Sequence, residues 1–148
     1  MTAEQLKLDN QVCFPLYAAS RLLTRAYQPY LEKLGITYPQ YLVLMVLWEY
    51  EELTVTEISN KLFLNTNTLT PLLKRLEKQG ILERNRNAKD ERIVKVKLSE
   101  YGIKLRAEAE EIPLKLGDLL TDEEHSLDDL MKLKSSLHKL IEKLEKKK

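Results

Sequence analysis

Apolar residues recur at helical spacing through most of the chain and at strand spacing in one region only. Leu16, Leu23, Tyr27, Tyr30, Leu31 and Leu34 form an uneven stripe that predicts a first helix over about Asp9 to Leu34. Pro15 and Pro29 each remove a backbone donor within it, so a kink or a late start is expected. A second helix is expected from Thr37, with Pro39 in its first turn. Its run "QYLVLMVLWEYE" is apolar nearly all round, which places it centrally. Thr54 and Glu57 stand at capping-box spacing and start a short third helix that ends near Leu62. Asn65 caps a fourth helix that ends at Gly80. Leu69, Leu72, Leu73 and Leu76 turn inward in that helix, leaving Asn67, Thr70, Pro71, Lys74, Arg75 and Lys78 outside. Two short helices across a tight turn, the second polar and basic outside, make a helix-turn-helix pattern.

After Gly80 the period becomes two. "ILERNR" and "RIVKVKLS" alternate apolar and charged residues around the polar tip "NAKDE", which predicts a two-stranded hairpin, a wing. Ser99 caps a long fifth helix, kinked or ended around Pro113. Ser126 and Asp129 start a last one, whose Leu127, Leu130, Leu133, Leu137, Ile141 and Leu144 form a stripe that needs a partner. The first helix and a second subunit would supply it. The three terminal lysines read as a solvated tail. The expected fold class is mainly α with a small β-hairpin wing: a winged helix-turn-helix at about 53–99, with dimerisation helices at about 9–34 and 103–147, in one domain spanning 1–148.

Composition adds charge segregation and one thiol. The 148 residues are 43% apolar and 32% charged, with a net charge of only +1. Yet from Lys74 to Lys97 nine basic residues face four acids, which points a polyanion such as nucleic acid at the middle of the chain. The balance reverses beyond Lys104. No apolar run reaches the ~20 residues that cross a bilayer, and "MTAEQLKLDN" has no signal-peptide character. The expected setting is cytoplasmic, without membrane attachment. One cysteine and two histidines are too few for a soft-ligand zinc site in one protomer, and neither metal nor cofactor is expected. The cysteine, Cys13 in "DNQVCFPLYAASR", is open to two readings: a small buried hydrophobe, or a reactive thiol.

The segment "LFLNTNTLTPLLKRLEKQGILERNRNAKDERIVKVKLSEYG" resembles the winged helix-turn-helix of the MarR regulators, with Asp90-Glu91-Arg92 as its wing signature. "LDNQVCFPLYAASR" followed by "GITYPQYLVLMVLWE" resembles the branch of that family that senses organic hydroperoxides, the one-cysteine OhrR type. The resemblance covers about Leu8 to Glu108 and continues only in helical character after Pro113. It implies a DNA-binding repressor that is not an enzyme and that releases its operator when Cys13 is oxidised. It also implies that Tyr27 and Tyr38 reach across a homodimer toward the partner's cysteine, with Tyr17 near the same pocket. Phe14 and Leu16 would be its apolar walls. The stretch "DLLTDEEHSLDDL", where some relatives hold a resolving cysteine, has none, so an external small-molecule or protein thiol is implied.

For DNA, the resemblance puts Thr66, Asn67, Thr68 and Pro71 near bases, just after Asn65, and Lys74 and Arg75 closer to phosphates. Arg92 would enter the minor groove with Asp90 bracing it, and Arg84, Arg86 and Lys89 complete the basic surface of the wing. Double-stranded DNA carrying an inverted repeat is the expected partner. Asn65-Thr66-Asn67 departs from the Asp-Ser-Gly or Asp-Ser-Ala common in close relatives, which puts any relative's operator sequence in doubt. Two alternatives stand beside this reading, with a purely architectural DNA binder as a third. One is a MarR-type regulator answering a small phenolic ligand with Cys13 merely packed; the other is a thiol peroxidase.

Overall fold

A computed structural model describes residues 3–147; Met1, Thr2 and Lys148, the outermost residues of the start and the tail discussed above, lie outside the described residues. The chain divides into two compact units, 1–109 and 110–148.

In the first unit, two short 3₁₀ turns (Glu4–Leu6 and Leu8–Asn10) precede α1 (Cys13–Lys33). The first helix therefore begins at Cys13 and not near Asp9. With Pro15 in its first turn, the missing N–H falls among donors that have no intrahelical partner anyway, so the late start costs no hydrogen bond. α2 (Tyr38–Tyr50) opens on Thr37, whose hydroxyl accepts from the Gln40 amide while the Gln40 side chain accepts from the Thr37 amide. Its Val43, Leu44 and Leu47 are fully buried, as expected of a helix apolar all round.

β1 (Glu52–Thr54) leads into α3 (Val55–Leu62), which starts on a reciprocal Thr54–Glu57 capping box. Phe63 turns the chain in a left-handed conformation at φ 54°, and Asn65 caps α4 (Thr66–Lys78) by accepting from the Thr68 amide at 2.9 Å. Leu69, Leu73 and Leu76 of α4 are 0% exposed. Burial of that kind contributes roughly 1.5–3 kcal/mol per side chain and holds the helix against the core by one face. Gly80, at φ 73°, ends the helix and turns the chain into the sheet.

The wing strands are β2 (Leu82–Arg86) and β3 (Val94–Leu98), but the sheet has three strands in the order β1-β3-β2. The third, β1, pairs antiparallel with β3 through Glu52↔Lys97, Leu53↔Val96 and Thr54↔Lys95. Three residues are too short to show an alternating pattern, and their partner lies more than 40 positions away, so the expected two-stranded hairpin gains a strand.

α5 (Glu100–Ala109) packs against the base of the wing at Gly102. A Cβ at that position would stand 2.1 Å from the Ile81 carbonyl oxygen. The Gly102 carbonyl also accepts from Trp48 Nε1 at 2.9 Å, and its amide donates to Ser99 Oγ at 3.1 Å. Gly102→Ala is therefore expected to lower stability by about 1–3 kcal/mol or more, read as a fall in Tm by circular dichroism. An unchanged Tm would mean that α5 is not seated on the wing.

The second unit holds α6 (Ile112–Leu120) and α7 (Leu127–Glu145). The fifth helix stops at Ala109, before Pro113, and Pro113 instead opens α6 at a position where proline is tolerated. Ser126 and Asp129 form a reciprocal capping box at the start of α7. No residue of α7 is buried: Leu127, Leu133, Ile141 and Leu144 all stand exposed.

Candidate redox site and nucleic-acid interface

Cys13 is the first residue of α1 and is exposed. Val12, Phe14, Leu16 and Tyr17 around it are exposed as well. Within one chain it is therefore not a packed core hydrophobe, and its apolar surroundings have no cover. The unpaired amides of the helix start lie at the same end as the sulfur, an arrangement that favours an anion there. Tyr17, one turn along, carries the Arg21 guanidinium over its ring at 5.6 Å.

The tyrosines sort into two groups. Tyr27 of α1 and Tyr38 of α2 pack ring to ring, with centroids 4.8 Å apart, and Tyr41 completes a trio at 5.9 and 6.3 Å. Burial raises the pKa of all three hydroxyls above the ordinary tyrosine value, helped by the neighbouring ring oxygens at Tyr27 and Tyr41. They remain protonated donors at neutral pH. Tyr41 is 2% exposed and belongs to the core, whereas Tyr27 and Tyr38 keep an outward edge. Tyr50 lies under the Lys61 ammonium at 3.9 Å, a surface contact apart from the cysteine.

Cys13 and Tyr27 share one helix, fourteen residues apart. At 1.5 Å per residue that is about 21 Å, far beyond contact. A pocket containing both must draw them from two chains.

The second site is a surface. Thr66, Thr70 and Lys74 recur every fourth residue along α4 and line one concavity with Arg84, Arg86 and Arg92 of the wing. Thr54, Val55 and Thr56 at the start of α3, with Ile93 and Val94, complete it. Asn65, Asn67, Thr68, Pro71 and Arg75 are exposed on α4 or at its cap, beside the concavity and not in its lining, and Lys89 is exposed at the tip of the wing. Arg92 is held by Asp90, with Nε to Oδ1 and a terminal nitrogen to Oδ2 both at 3.1 Å, while the Arg92 side chain stays 91% exposed. The guanidinium is thus aimed outward on a fixed base. The Arg92 side chain and amide hold the Asp90 carboxyl below its ordinary pKa, so the clamp is complete at neutral pH and opens only as pH falls below the usual carboxylate range.

Arg84 has another task. Its Nε and a terminal nitrogen donate to Glu77 at 3.2 and 3.4 Å, and its amide donates to the same carboxylate at 3.1 Å. This ties the base of the wing to α4 across the Gly80 turn. Arg86 braces the wing tip by donating to the Glu91 carbonyl at 3.0 Å. Glu77 escaped sequence reasoning because an acid in a basic stretch reads as simple charge balance. Among the described residues, no cluster of His, Cys, Asp and Glu could hold a metal, and no helix is long and apolar enough to cross a membrane.

The sequence profile of the SarA/Rot transcriptional regulators matches residues 25–109, the stretch that carries the tyrosine trio, the helix-turn-helix and the wing. The chain belongs to the MarR/SarA family of transcriptional regulators. It is 49% identical over 144 residues to the organic hydroperoxide resistance transcriptional regulator of Bacillus subtilis, covering 97% of this chain and 96% of that protein. Two solved structures of AbfR are similar in fold. The reduced protein bound to DNA has a TM-score of 0.80 at 37% identity, covering 97% of this chain and 99% of that one. The overoxidised protein bound to DNA has a TM-score of 0.77 at 36% identity, covering 97% and 98%. The winged-helix architecture and the organic-hydroperoxide branch expected from the sequence agree with these relatives. The family is one of regulators and not of enzymes.

Proposed function

We propose that the protein is a homodimeric DNA-binding repressor of the cytoplasm that leaves its operator when an organic hydroperoxide oxidises Cys13. One observation carries the redox part. The sulfur is exposed at the start of α1, and Tyr27, about 21 Å along the same helix and packed on Tyr38 of α2, can meet it only from a second chain. An antiparallel pair of α1 helices places each Cys13 against the partner's tyrosines. Their hydroxyls donate to the thiolate, and Phe14 and Leu16 supply apolar walls that admit an alkyl peroxide.

The thiolate attacks the terminal peroxide oxygen and the O–O bond breaks. The alkoxide leaves and takes a proton, giving Cys13 sulfenic acid and an alcohol. An external thiol then condenses with the sulfenic acid and releases water, leaving a mixed disulfide. Either product crowds the tyrosines and removes their acceptor. Because Tyr38 opens α2, and α2 packs with α4 in one core, the disturbance reaches the reading helix.

On the DNA, α4 lies in the major groove with Thr66, Asn67, Thr68 and Pro71 toward bases. Lys74 and Arg75 neutralise phosphates, and Arg92 enters the adjacent minor groove. The two-fold symmetry of the dimer calls for an inverted repeat with half-sites about one helical turn apart.

Two substitutions probe the halves separately. Arg92→Ala is expected to weaken operator binding by roughly 5–100-fold, about 1–3 kcal/mol, with the loss greatest on operators carrying A/T at their outer positions. Equal affinity for A/T and G/C flanks in both proteins would take the wing out of sequence reading. Tyr38→Phe keeps the aromatic packing and removes one donor to the thiolate, worth about 1.5–3 kcal/mol for a charged acceptor. Stopped-flow oxidation of Cys13 is expected to slow by about tenfold or more; an unchanged rate would mean that Tyr38 does not face the partner's sulfur. The overall reading is tested by fluorescence anisotropy on DNA from the protein's own promoter, with an organic hydroperoxide added with and without a small thiol.

A further inference from the structure

Two asparagines stand at the start of α4, and the fold engages only one of them. Asn65 Oδ1 accepts from the Thr68 amide at 2.9 Å, so that side chain is occupied by the cap. Asn67, the second residue of the helix, is exposed, and its carboxamide has no hydrogen-bond partner among the described residues. It offers a donor and an acceptor side by side.

The direction of Asn67 follows from the buried face of the helix. Leu69, Leu73 and Leu76 are 0% exposed and fix which side faces the core. Successive helical residues turn by about 100°, so Asn67, Pro71 and Lys78 point roughly 150–170° away from those leucines. Thr66 and Thr70 turn toward the wing and line the concavity, while Thr68 and Arg75 turn to the other flank. Of the three residues that face straight out, Pro71 has no side-chain donor or acceptor. Lys78 stands about three turns further on, at the last position of the helix. Asn67 is therefore the polar side chain on the outermost line of α4 near its N-terminal end. That end is where a reading helix brings its side chains to base edges.

We propose that Asn67 selects one adenine in each half-site of the operator, through a pair of hydrogen bonds in the major groove. The inference rests on the DNA-reading role proposed above for α4. Adenine presents its exocyclic amino donor next to a ring-nitrogen acceptor in that groove. The carboxamide matches both: Oδ1 accepts from the amino group while Nδ2 donates to the ring nitrogen. Guanine presents two acceptors there, thymine an acceptor beside a methyl group, and cytosine a donor alone, so none of them satisfies both ends. Lys74 and Arg75, directed at phosphates, hold the helix in place without distinguishing bases. Asn67 is uncharged, so it adds to sequence preference and leaves the salt dependence alone.

Selection from a DNA library with randomised half-sites, followed by anisotropy titrations, tests this. Wild type is expected to select adenine at one position of each half-site, and any other base there should weaken binding about 5–100-fold. Asn67 is exposed and alanine is the better helix former, so Asn67→Ala keeps the fold. That variant should lose its preference at this position alone, with the other positions and the salt slope unchanged. Asn67→Asp keeps the size but turns the donor into a second acceptor, and it too should lose the preference, read as a ratio between operators. Replacing the selected adenine with 7-deazaadenine, which lacks the ring-nitrogen acceptor, should weaken wild type about threefold or more and leave Asn67→Ala unaffected. If Asn67→Ala selects the same half-site as wild type, or 7-deazaadenine weakens both proteins equally, Asn67 reads no base. Only this inference then fails, because both proteins still recognise an operator. A uniform loss on every sequence would make Asn67 a backbone contact and overturn the inference equally. If wild type selects no sequence at all, the reading role of α4 fails and takes the inference with it.

Discussion

In Cys13→Ser, the DNA complex is expected to persist at a hydroperoxide dose that empties the operator of wild-type protein. The hydroxyl preserves size and helix position, but it is not ionised at neutral pH and does not attack peroxide as a thiolate does. Moving occupancy from about 99:1 to 1:99 requires roughly 5.5 kcal/mol of differential stability, and the variant loses all of it. Unoxidised affinity should change little, because Cys13 is exposed at the far end of α1 from the wing and takes no part in the core. Anisotropy titrations with and without hydroperoxide separate the outcomes. If the variant also lets go of DNA, Cys13 is not the trigger, and a phenolic ligand or another inducer becomes the better account.

The second large effect is that of salt. Lys74, Arg75, Arg86, Lys89 and Arg92 are exposed cations on or beside the reading surface, five per chain and ten in a dimer. Arg84 is excluded because Glu77 already holds its guanidinium. If six to ten of these meet phosphates, affinity should fall by roughly a thousandfold to a hundred-thousandfold between 50 and 200 mM salt. The logarithmic slope should be about −5 to −9. Replacing Lys74 with Ala should reduce that slope by about 2 in the dimer, one contact from each protomer. A slope near zero would mean that the basic stretch from Lys74 to Lys97 is a solvated face and not a DNA surface. Glu77→Gln offers a contrast: it leaves the exposed cations in place but releases Arg84, so the slope should hold or steepen while wing geometry loosens.

Much of the fold was legible along the chain because it is written in local rules. The caps at Thr54, Asn65 and Ser126 occur where the sequence placed them, since a capping interaction spans only three residues, while the Thr37–Gln40 box at the expected start of α2 was seen only in the structure. The inward leucines of α4 followed from helical period alone, and three of them are fully buried. What was misplaced depended on distant partners or on competition at an end. The late start of α1 puts Pro15 in a first turn, where its missing N–H costs no hydrogen bond, whereas Pro29, also expected to interrupt the helix, stands inside it. β1 exists because β3 offers it an open edge.

The amino-acid sequence by itself determined most of the helices and the wing hairpin, their faces, the single thiol and the basic outer face of α4, because periodicity, capping and charge act over a few residues. Only the tertiary structure decided which of those residues meet. It brought Tyr27, Tyr38 and Tyr41 together, set the Arg92 guanidinium on Asp90, and took Arg84 away from the solvent to tie wing to helix. It also put Cys13 and Tyr27 about 21 Å apart on one helix, so that the sensing site proposed above needs two chains. Those outcomes depend on chain reversals at Gly35, Phe63 and Gly80 and on the packing of a shared core, which no local pattern encodes.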